Sequence, residues 1–281
     1  MRPRLPIPSA MPSATITIPF GISWPLAHPK PPWPSVPKCT SWLSALCLPA
    51  RAFHFYMPAP NSSAPKKAWK TALMQNKDYD SFLLLNDDVI LTDDFLASLV
   101  LTHEFCLKQY NKSGIYVCST RDNVDSKISY GGTYITHRGL KIKSNLVEPS
   151  DTPVLCTMAN ANILMVTKSV VKAIGILDDR YIHQFGDYDY TLVASRNGIP
   201  VLVCPGFGGY CSDDHGNSWL QPNSSLKKRI NFLYSPLGLS YKEQTYYLKK
   251  NFKFQYPYYF SMLWLKTLFP FVWEKYKKNQ L

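Results

Sequence analysis

The middle of the chain alternates apolar runs with short polar breaks, a pattern that predicts buried strands separated by helices. The clearest apolar run, residues 82–85, ends at Asn86, Asp87 and Asp88, and a second apolar stretch, residues 89–91, follows. Continuous apolar runs of this length are typical of strands buried on both faces of a parallel sheet. We therefore predict a central strand with Asp87 and Asp88 at its C-terminal end, where open α/β sheets bind their ligands.

The chain after the acidic turn predicts an amphipathic helix. Thr92 is in position to act as its N-cap, with Asp93 and Asp94 in the first turn. The predicted helix covers residues 95–109, with four apolar residues facing inward: Leu96, Leu99, Val100 and Phe105.

Further elements are predicted on both sides of this unit. The remaining helices are predicted over residues 65–75, 169–174 and 188–196, and further strands over 114–120, 154–166 and 201–203. Residues 128–148 alternate in the manner of a β-hairpin, in which Gly131 and Gly132 serve the backbone path. The polar turn Asn160-Ala161-Asn162 interrupts the strand-forming stretch 154–166. Alternating strands and helices predict an α/β fold.

The two ends of the chain differ from its middle. Fifteen of the 23 prolines precede Lys66, and no Asp or Glu precedes Asp78. We therefore predict that residues 1–60 form a proline-rich segment, disordered or non-native, in which residues 15–18 are the only strand-like fragment. The abrupt change of composition near residue 61 also suggests, as a hypothesis, a frameshifted or mis-started N-terminus.

The net charge of +12 arises largely at the N-terminus, because nine Lys and Arg precede Asp78 while the other 204 residues carry 22 basic and 19 acidic side chains. No basic stripe with interleaved aromatic residues is evident, so we predict no nucleic-acid partner. The seven cysteines are scattered without a CxxC pair, which favours a reducing compartment such as the cytoplasm. Cys211 and His215 could share a zinc ion, but no second ligand pair is evident.

No stretch of the sequence predicts a membrane span. Prolines interrupt residues 5–29, and Lys266 and Pro270 interrupt the aromatic and basic segment 251–281, which is predicted to be helical. That segment could lie in a membrane interface or pack against the preceding domain, and both interpretations stay open. An interfacial position predicts a peripheral protein on the inner face of the cell membrane.

Two acidic pairs are the candidate chemical groups. Adjacent carboxylates at Asp87 and Asp88 favour a hard divalent cation, Mg²⁺ or Mn²⁺, that carries a diphosphate, or else they form a solvated acidic turn. Asp187 and Asp189 fall at a predicted helix start, where the helix dipole would keep Asp187 ionised and able to act as a base. A simple helix N-cap is the alternative for Asp187.

The motif LLLNDDV, the Asn160-Ala161-Asn162 turn, GDYDY at residues 186–190 and the later His215 occur in an order that resembles family 2 glycosyltransferases of the GT-A fold. The resemblance covers about residues 61 to 250 and is greatest to bacterial enzymes that build polysaccharides and carry a GDxDY motif. It implies a GT-A (Rossmann-like) mixed sheet flanked by helices. The first strands of that fold and their base-binding turns are missing or replaced in this chain.

The resemblance also implies a role for each matching residue. Asp88 would be a ligand of Mn²⁺ or Mg²⁺, with His215 as a further metal ligand. Asp187 would be the catalytic base. The donor-binding residues would be Asn86, Asp87, Asn160 and Asn162, and the acceptor-binding residues would be Trp219 and Asp189.

The implied activity is a hexosyl-type, inverting transfer from a nucleotide-sugar donor to a glycan or lipid-linked saccharide acceptor in cell-surface polysaccharide synthesis. One alternative is an inactive, truncated sugar-binding or scaffold protein. Another is a metal-dependent nucleotidyltransferase or phosphohydrolase, although the sequence has no glycine-rich phosphate loop with a lysine.

Overall fold

The computed structural model describes the backbone of residues 16–18, 22–24, 42–48 and 54–58, together with residues 64–75, 79–182, 184–212, 224–236 and 238–272. The chain divides into two compact units, Met1–Cys39 and Thr40–Leu281. In the first unit, strand β1 (Ile16–Ile18) pairs antiparallel with strand β2 (Ile22–Trp24). The strand-like fragment predicted there corresponds to β1.

The second unit contains the elements that the apolar pattern predicts, with shifted ends and several additions. Its strands are β3 (Trp42–Leu48), β4 (His54–Pro58), β5 (Ser81–Leu85), β6 (Ile90–Leu91), β7 (Ile115–Arg121), β8 (Ile128–Tyr130), β9 (Gly132–Arg138), β10 (Lys141–Leu146), β11 (Val154–Leu155), β12 (Met158–Ala159), β13 (Ile163–Thr167) and β14 (Val201–Tyr210). Its helices are α1 (Ala64–Met74), α2 (Phe95–Tyr110), α3 (Lys168–Ile174), α4 (Gly186–Arg196), α5 (Leu226–Tyr234), α6 (Tyr241–Asn251) and α7 (Tyr256–Leu268). Strands β2, β3 and β4 were not predicted.

The main sheet is mixed, with the strand order β11-β14-β7-β13-β5-β3-β4. Strand β5 lies inside the sheet, next to the middle strand β13, and both of its neighbours, β13 and β3, run antiparallel to it. Strand β14 runs parallel to β7. The prediction of a parallel environment for β5 was therefore wrong, because a continuous apolar run reports burial on both faces and not the direction of the neighbouring strands. The coarser prediction, an α/β fold with a mixed sheet flanked by helices, is confirmed.

Helices cover both faces of this sheet, which explains why β5 is apolar throughout. Phe82 and Leu84 pack with Trp69 of α1 and Tyr190 of α4 on one face. Leu83 and Leu85 lie on the opposite face, in the core that contains Leu99 of α2. Because successive strand residues point to opposite faces, only a run without polar residues can serve two cores.

The start of α2 differs from the prediction. Asp94, not Thr92, is the N-cap residue, and its side chain makes no capping hydrogen bond. The chain instead forms β6, which pairs with β14, and the Thr92 amide donates a hydrogen bond to the Gly208 carbonyl. Val100, predicted to face inward, is 41% exposed, because the sheet covers a narrower strip of α2 than the apolar residues suggest.

The predicted hairpin is present as β9 and β10, which pair antiparallel beside the main sheet. A Cβ atom on Gly132 would lie 2.3 Å from Cγ2 of Val203 and 2.8 Å from Sγ of Cys156. The predicted backbone role of Gly132 is thus a close approach between β9 and β14.

The C-terminal helices pack on α4 through aromatic side chains. Tyr247, Leu248 and Phe252 of α6 and its end form a cluster with Met158 and Leu192. Within the described residues, no helix has both the length and the apolar character needed to cross a membrane.

Candidate functional site

The acidic turn lies at the end of β5, as predicted. Asp87 and Asp88 are both exposed, and they connect β5 to β6. Two backbone contacts fix the ends of this turn. The Asn86 amide donates to the Asn162 carbonyl at 3.1 Å, and Leu91 of β6 pairs with Gly209 of β14. The carboxylates are thereby held at the C-terminal edge of the central strand.

Asn86 and Asn162 form the link between this turn and the next candidate segment. The Asn86 side-chain amide donates to Oδ1 of Asn162 at 3.0 Å, and the Asn162 amide donates to Sγ of Cys211 at 3.4 Å. Strands β5 and β13 are paired side by side, with Leu85 opposite Ile163. The sheet therefore places the first residue after β5 against the last residue before β13.

Asp187 lies at the start of α4 and contacts the Asn160-Ala161-Asn162 segment. Its Oδ2 accepts a hydrogen bond from the Ala161 amide at 3.0 Å, and its Oδ1 accepts one from the Tyr188 amide at 2.8 Å. Thr191, one helical turn later, accepts from the Ala159 amide and donates to the Asp187 carbonyl. These contacts fasten the start of α4 to the Asn160-Ala161-Asn162 turn.

The environment of Asp187 raises the pKa of its carboxyl group. Burial is the larger cause, and it outweighs the hydrogen bonds from the Tyr188 and Ala161 amides, which lower the pKa. The direction is opposite to the one predicted from the helix dipole alone, because the dipole argument took no account of desolvation. A carboxylate with a raised pKa binds a proton more readily, as a general base must.

Asp187 is not the N-cap of α4. That position is occupied by Phe185, which has a left-handed backbone conformation (φ 66°) and offers no capping side chain. Asp187 nevertheless accepts a hydrogen bond from the Tyr188 amide in the first helical turn. It therefore satisfies one of the free backbone donors at the start of the helix, although it lies inside the helix.

Asn160 is an unpaired buried amide at the centre of this arrangement. Its side chain is 4% exposed, and neither its Nδ2 nor its Oδ1 has a hydrogen-bond partner among the described residues. Buried amides almost always have a partner in native proteins. As far as the described residues go, both polar atoms of the Asn160 side chain are open to a polar group in the turn.

Asp189, in contrast, faces the C-terminal helices. It is 2% exposed, and its two oxygens accept hydrogen bonds from Lys250 at 2.5 Å and Asn251 at 2.6 Å. The structure gives Asp189 a role in fastening α6 to α4, and its predicted contact with an acceptor stays a prediction.

His215 and Trp219 lie outside the described residues, so their predicted roles stay predictions. The chain is described up to Ser212, directly after Cys211. Because Cys211 contacts Asn162, the segment that carries both predicted residues begins beside the Asn160-Ala161-Asn162 turn.

The donor set at the acidic turn is compatible with a hard divalent cation. In the described ranges, no group of three or more His, Cys, Asp and Glu side chains could hold a metal ion. Asp87 and Asp88 nevertheless offer carboxylate oxygens at an exposed turn. Two carboxylates with the oxygens of a substrate diphosphate are the ligands that Mg²⁺ commonly uses.

The sequence patterns did not predict three of these contacts: the Asn86–Asn162 pair, the hydrogen bonds of Thr191 to Ala159 and Asp187, and the Lys250–Asp189 pair. A signal existed for Thr191, which follows Asp187 by four residues and so shares its helix face. None existed for the other two pairs, whose members are 76 and 61 residues apart in the chain.

The site thus joins three features around one turn: an exposed acidic pair, a carboxylate with a raised pKa, and a buried amide that has no partner in the part of the chain that the structure describes. Such a set can bind a polar ligand through a cation and remove a proton from it. No protein-family model matches this sequence, and no curated protein matches it either.

Proposed function

We propose that this protein is a glycosyltransferase of the GT-A type, which transfers a sugar from a nucleotide-sugar donor to a hydroxyl group of a glycan or lipid-linked acceptor. The observation that carries the proposal is the chain of hydrogen bonds from Asn86 through Asn162 and Ala161 to Asp187. It joins the two acidic motifs, which are about 100 residues apart in the sequence, at one edge of the sheet.

The two ends of this chain have complementary properties. Asp87 and Asp88 are exposed and can hold a cation, whereas Asp187 is partly buried and has a raised pKa. A transferase needs both functions, because the leaving diphosphate must be neutralised while the acceptor hydroxyl loses its proton. The Asn160 side chain, which has no hydrogen-bond partner among the described residues, belongs to the turn that contacts Asp187 and Asn86, and it offers both a donor and an acceptor to a sugar hydroxyl.

In the proposed reaction, Asp187 accepts the proton of the acceptor hydroxyl as that oxygen attacks the anomeric carbon of the donor. The bond between that carbon and the diphosphate oxygen breaks on the opposite side, so the anomeric configuration inverts. The amides of Ala161 and Tyr188 orient the Asp187 carboxylate throughout. Each carboxylate oxygen retains a second lone pair for the proton.

A divalent ion, Mn²⁺ or Mg²⁺, held by Asp87 and Asp88, would supply Lewis-acid stabilisation of the leaving diphosphate. The nearby Asn86 side chain is oriented by its hydrogen bond to Asn162. The side-chain carbonyl oxygen of Asn86 is therefore held in one orientation.

A sugar-binding or scaffold protein without activity is the second candidate, and a feature of the sheet favours it. Strands β3 and β4 occupy the edge of β5, and β3 runs antiparallel to it. The resemblance implies that the first strands of the fold and their base-binding turns are missing or replaced in this chain. A hairpin there in their place would weaken donor binding.

The test measures release of nucleoside diphosphate from a panel of nucleotide sugars with Mn²⁺, with water or a saccharide as the acceptor. We expect Asp187→Asn to lower the rate by about 100-fold or more, because it removes the general base. Donor binding should be retained. Asp151→Asn, on an exposed residue, is the matched control.

Two results would count against the proposal. Equal loss of binding and turnover in Asp187→Asn would refute its role as the base. Binding of nucleotide sugars without any release by the wild-type protein would favour the inactive alternative.

A further inference from the structure

The C-terminal helix α7 carries an exposed face that becomes apolar toward its end. Pro257, Ser261, Leu265 and Leu268 are exposed and follow one another at spacings of three or four residues, so they share one side of the helix. Three further apolar side chains continue the exposed surface beyond the helix: Phe269, Phe271 and Val272. Phe271 is 62% exposed, which is unusual for a large aromatic residue.

The start of α5 lies beside this apolar end. Arg229 donates from Nε to the Thr267 carbonyl at 2.8 Å, which ties the first turns of α5 to the last turn of α7. Leu226, Lys227 and Lys228 precede Arg229 and are exposed. Two lysines and one further leucine are therefore exposed in the turn of α5 that contacts the end of α7.

Charge is strongly segregated along the chain. Residues 78–223 contain 11 Lys and Arg against 17 Asp and Glu, whereas residues 224–281 contain 11 Lys and Arg against two acids, Glu243 and Glu274. The basic excess therefore coincides with the helices that carry the apolar surface. The residues after Val272 continue the same composition, with Trp273, Tyr276 and three further lysines.

We propose that this docking surface, formed by Leu226, Lys227 and Lys228 of α5 with Leu265, Leu268, Phe269, Phe271 and Val272 at the end of α7, binds an anionic lipid membrane. Apolar side chains enter the boundary between headgroups and acyl chains, and lysines around them attract the negative headgroups. A polyanion such as nucleic acid would use the lysines but not the exposed phenylalanines and leucines. A second copy of the chain would place positive charge against positive charge.

The surface and the candidate site belong to the same compact unit. Lys250 of α6 donates a hydrogen bond to Asp189 of α4, the helix that also carries Asp187, and Arg229 of α5 donates one to the Thr267 carbonyl of α7. The docking itself does not depend on the proposed transfer reaction.

The test is flotation of the full-length protein with vesicles of neutral phosphatidylcholine and with vesicles that also contain phosphatidylglycerol. We expect binding to the anionic vesicles that weakens as salt is added. Leu268→Ser/Phe271→Ser and Lys227→Glu/Lys228→Glu should each reduce this binding by about tenfold or more.

Matched controls change residues of the same kinds elsewhere on the surface. Val124→Ser/Leu140→Ser removes two other exposed apolar side chains, and Lys141→Glu/Lys143→Glu reverses two exposed lysines on β10. Both controls should bind anionic vesicles as the wild type does. Thermal unfolding of every variant shows whether a loss of binding reflects a loss of fold.

Three results would overturn the proposal. The first is the absence of binding to anionic vesicles by the wild-type protein, and the second is equal binding of all variants. The third is a wild-type dimer in light scattering that Leu268→Ser/Phe271→Ser converts to a monomer, because the apolar residues would then cover a second copy.

Discussion

At the scale of single residues, the carboxylate of Asp187 decides what the candidate site can do. Its two oxygens accept amide hydrogens from Ala161 and Tyr188, so its orientation is fixed before any ligand binds. Burial nevertheless raises the pKa of the group above that of an exposed aspartate. Orientation and proton affinity are thus set by different parts of the environment.

The raised pKa predicts an acid limb in the pH dependence of turnover. A base must be ionised, so kcat/KM should rise with pH through the pKa of Asp187. The midpoint should lie above about 3.9, the ordinary value for aspartate. The measurement is the rate of nucleoside diphosphate release as a function of pH; a midpoint at or below the ordinary value would contradict the assignment.

Gly132 allows β9 to approach β14 more closely than any residue with a side chain would. Its replacement by alanine would bring a methyl group to 2.3 Å from Cγ2 of Val203, closer than two carbon atoms can approach. We expect Gly132→Ala to reduce the free energy of unfolding by about 1–3 kcal/mol, since β9 or β14 must shift. Urea unfolding measures this change, and Ser144→Ala on the exposed strand β10 is the control. A change below about 0.5 kcal/mol would show that the two strands are less tightly packed.

At the scale of elements, helix α6 fixes the helix that carries Asp187. Lys250 donates to Asp189 in the first turn of α4 and to Asp178 in the segment before it. Burial raises the pKa of Asp178, but hydrogen bonds from Arg180, Tyr246 and Lys250 outweigh this and hold the pKa well below its usual range. One lysine thereby serves two carboxylates on neighbouring parts of the chain.

Removal of that ammonium group should destabilise the protein in a pH-dependent manner. We expect Lys250→Met to lower the free energy of unfolding by about 3 kcal/mol at pH 7, because the buried Asp189 loses its charged partner and keeps only the hydrogen bond from Asn251. A depressed pKa contributes stability above its unfolded value and loses it as the pH falls. The cost of the substitution should therefore shrink below about pH 4, where Asp178 begins to bind a proton in the unfolded chain.

Lys242→Met, an exposed substitution on the same helix, is the control and should change the free energy of unfolding by less than about 0.5 kcal/mol. Urea unfolding at pH 7 and below pH 4 makes the comparison. An equal cost of Lys250→Met at both pH values would contradict the proposed pairing with Asp178.

The sequence predicted elements better than the contacts between them. Local patterns of polarity predicted the strand at residues 82–85, the turn at Asp87 and Asp88, and the helix that contains Asp187. Strand direction does not, because β5 is buried equally well between antiparallel neighbours. The Asn86–Asn162 pair was also beyond local patterns, since the two residues meet only once β13 is inserted beside β5.

At the scale of the whole molecule, the second unit combines an acidic middle with a basic C-terminal part. The acidic residues of the candidate site lie around the turns at the end of β5 and before β13, and the basic residues accompany an exposed apolar surface on α5 and α7. The proposed nucleotide-sugar site and the proposed lipid-facing surface would together suit a protein that acts on an acceptor at a membrane. Each part of this description has its own test.

The central claim is that a divalent cation at Asp87 and Asp88 binds the diphosphate of a nucleotide sugar. Its most direct test is calorimetric titration of nucleoside diphosphates in the presence of Mn²⁺. We predict that one of them binds the wild-type protein and Asp187→Asn with similar affinity. Asp88→Asn should bind it at least about tenfold more weakly, because a cation ligand is lost. Equal affinity of wild type and Asp88→Asn, or no binding by any of the three proteins, would contradict the account.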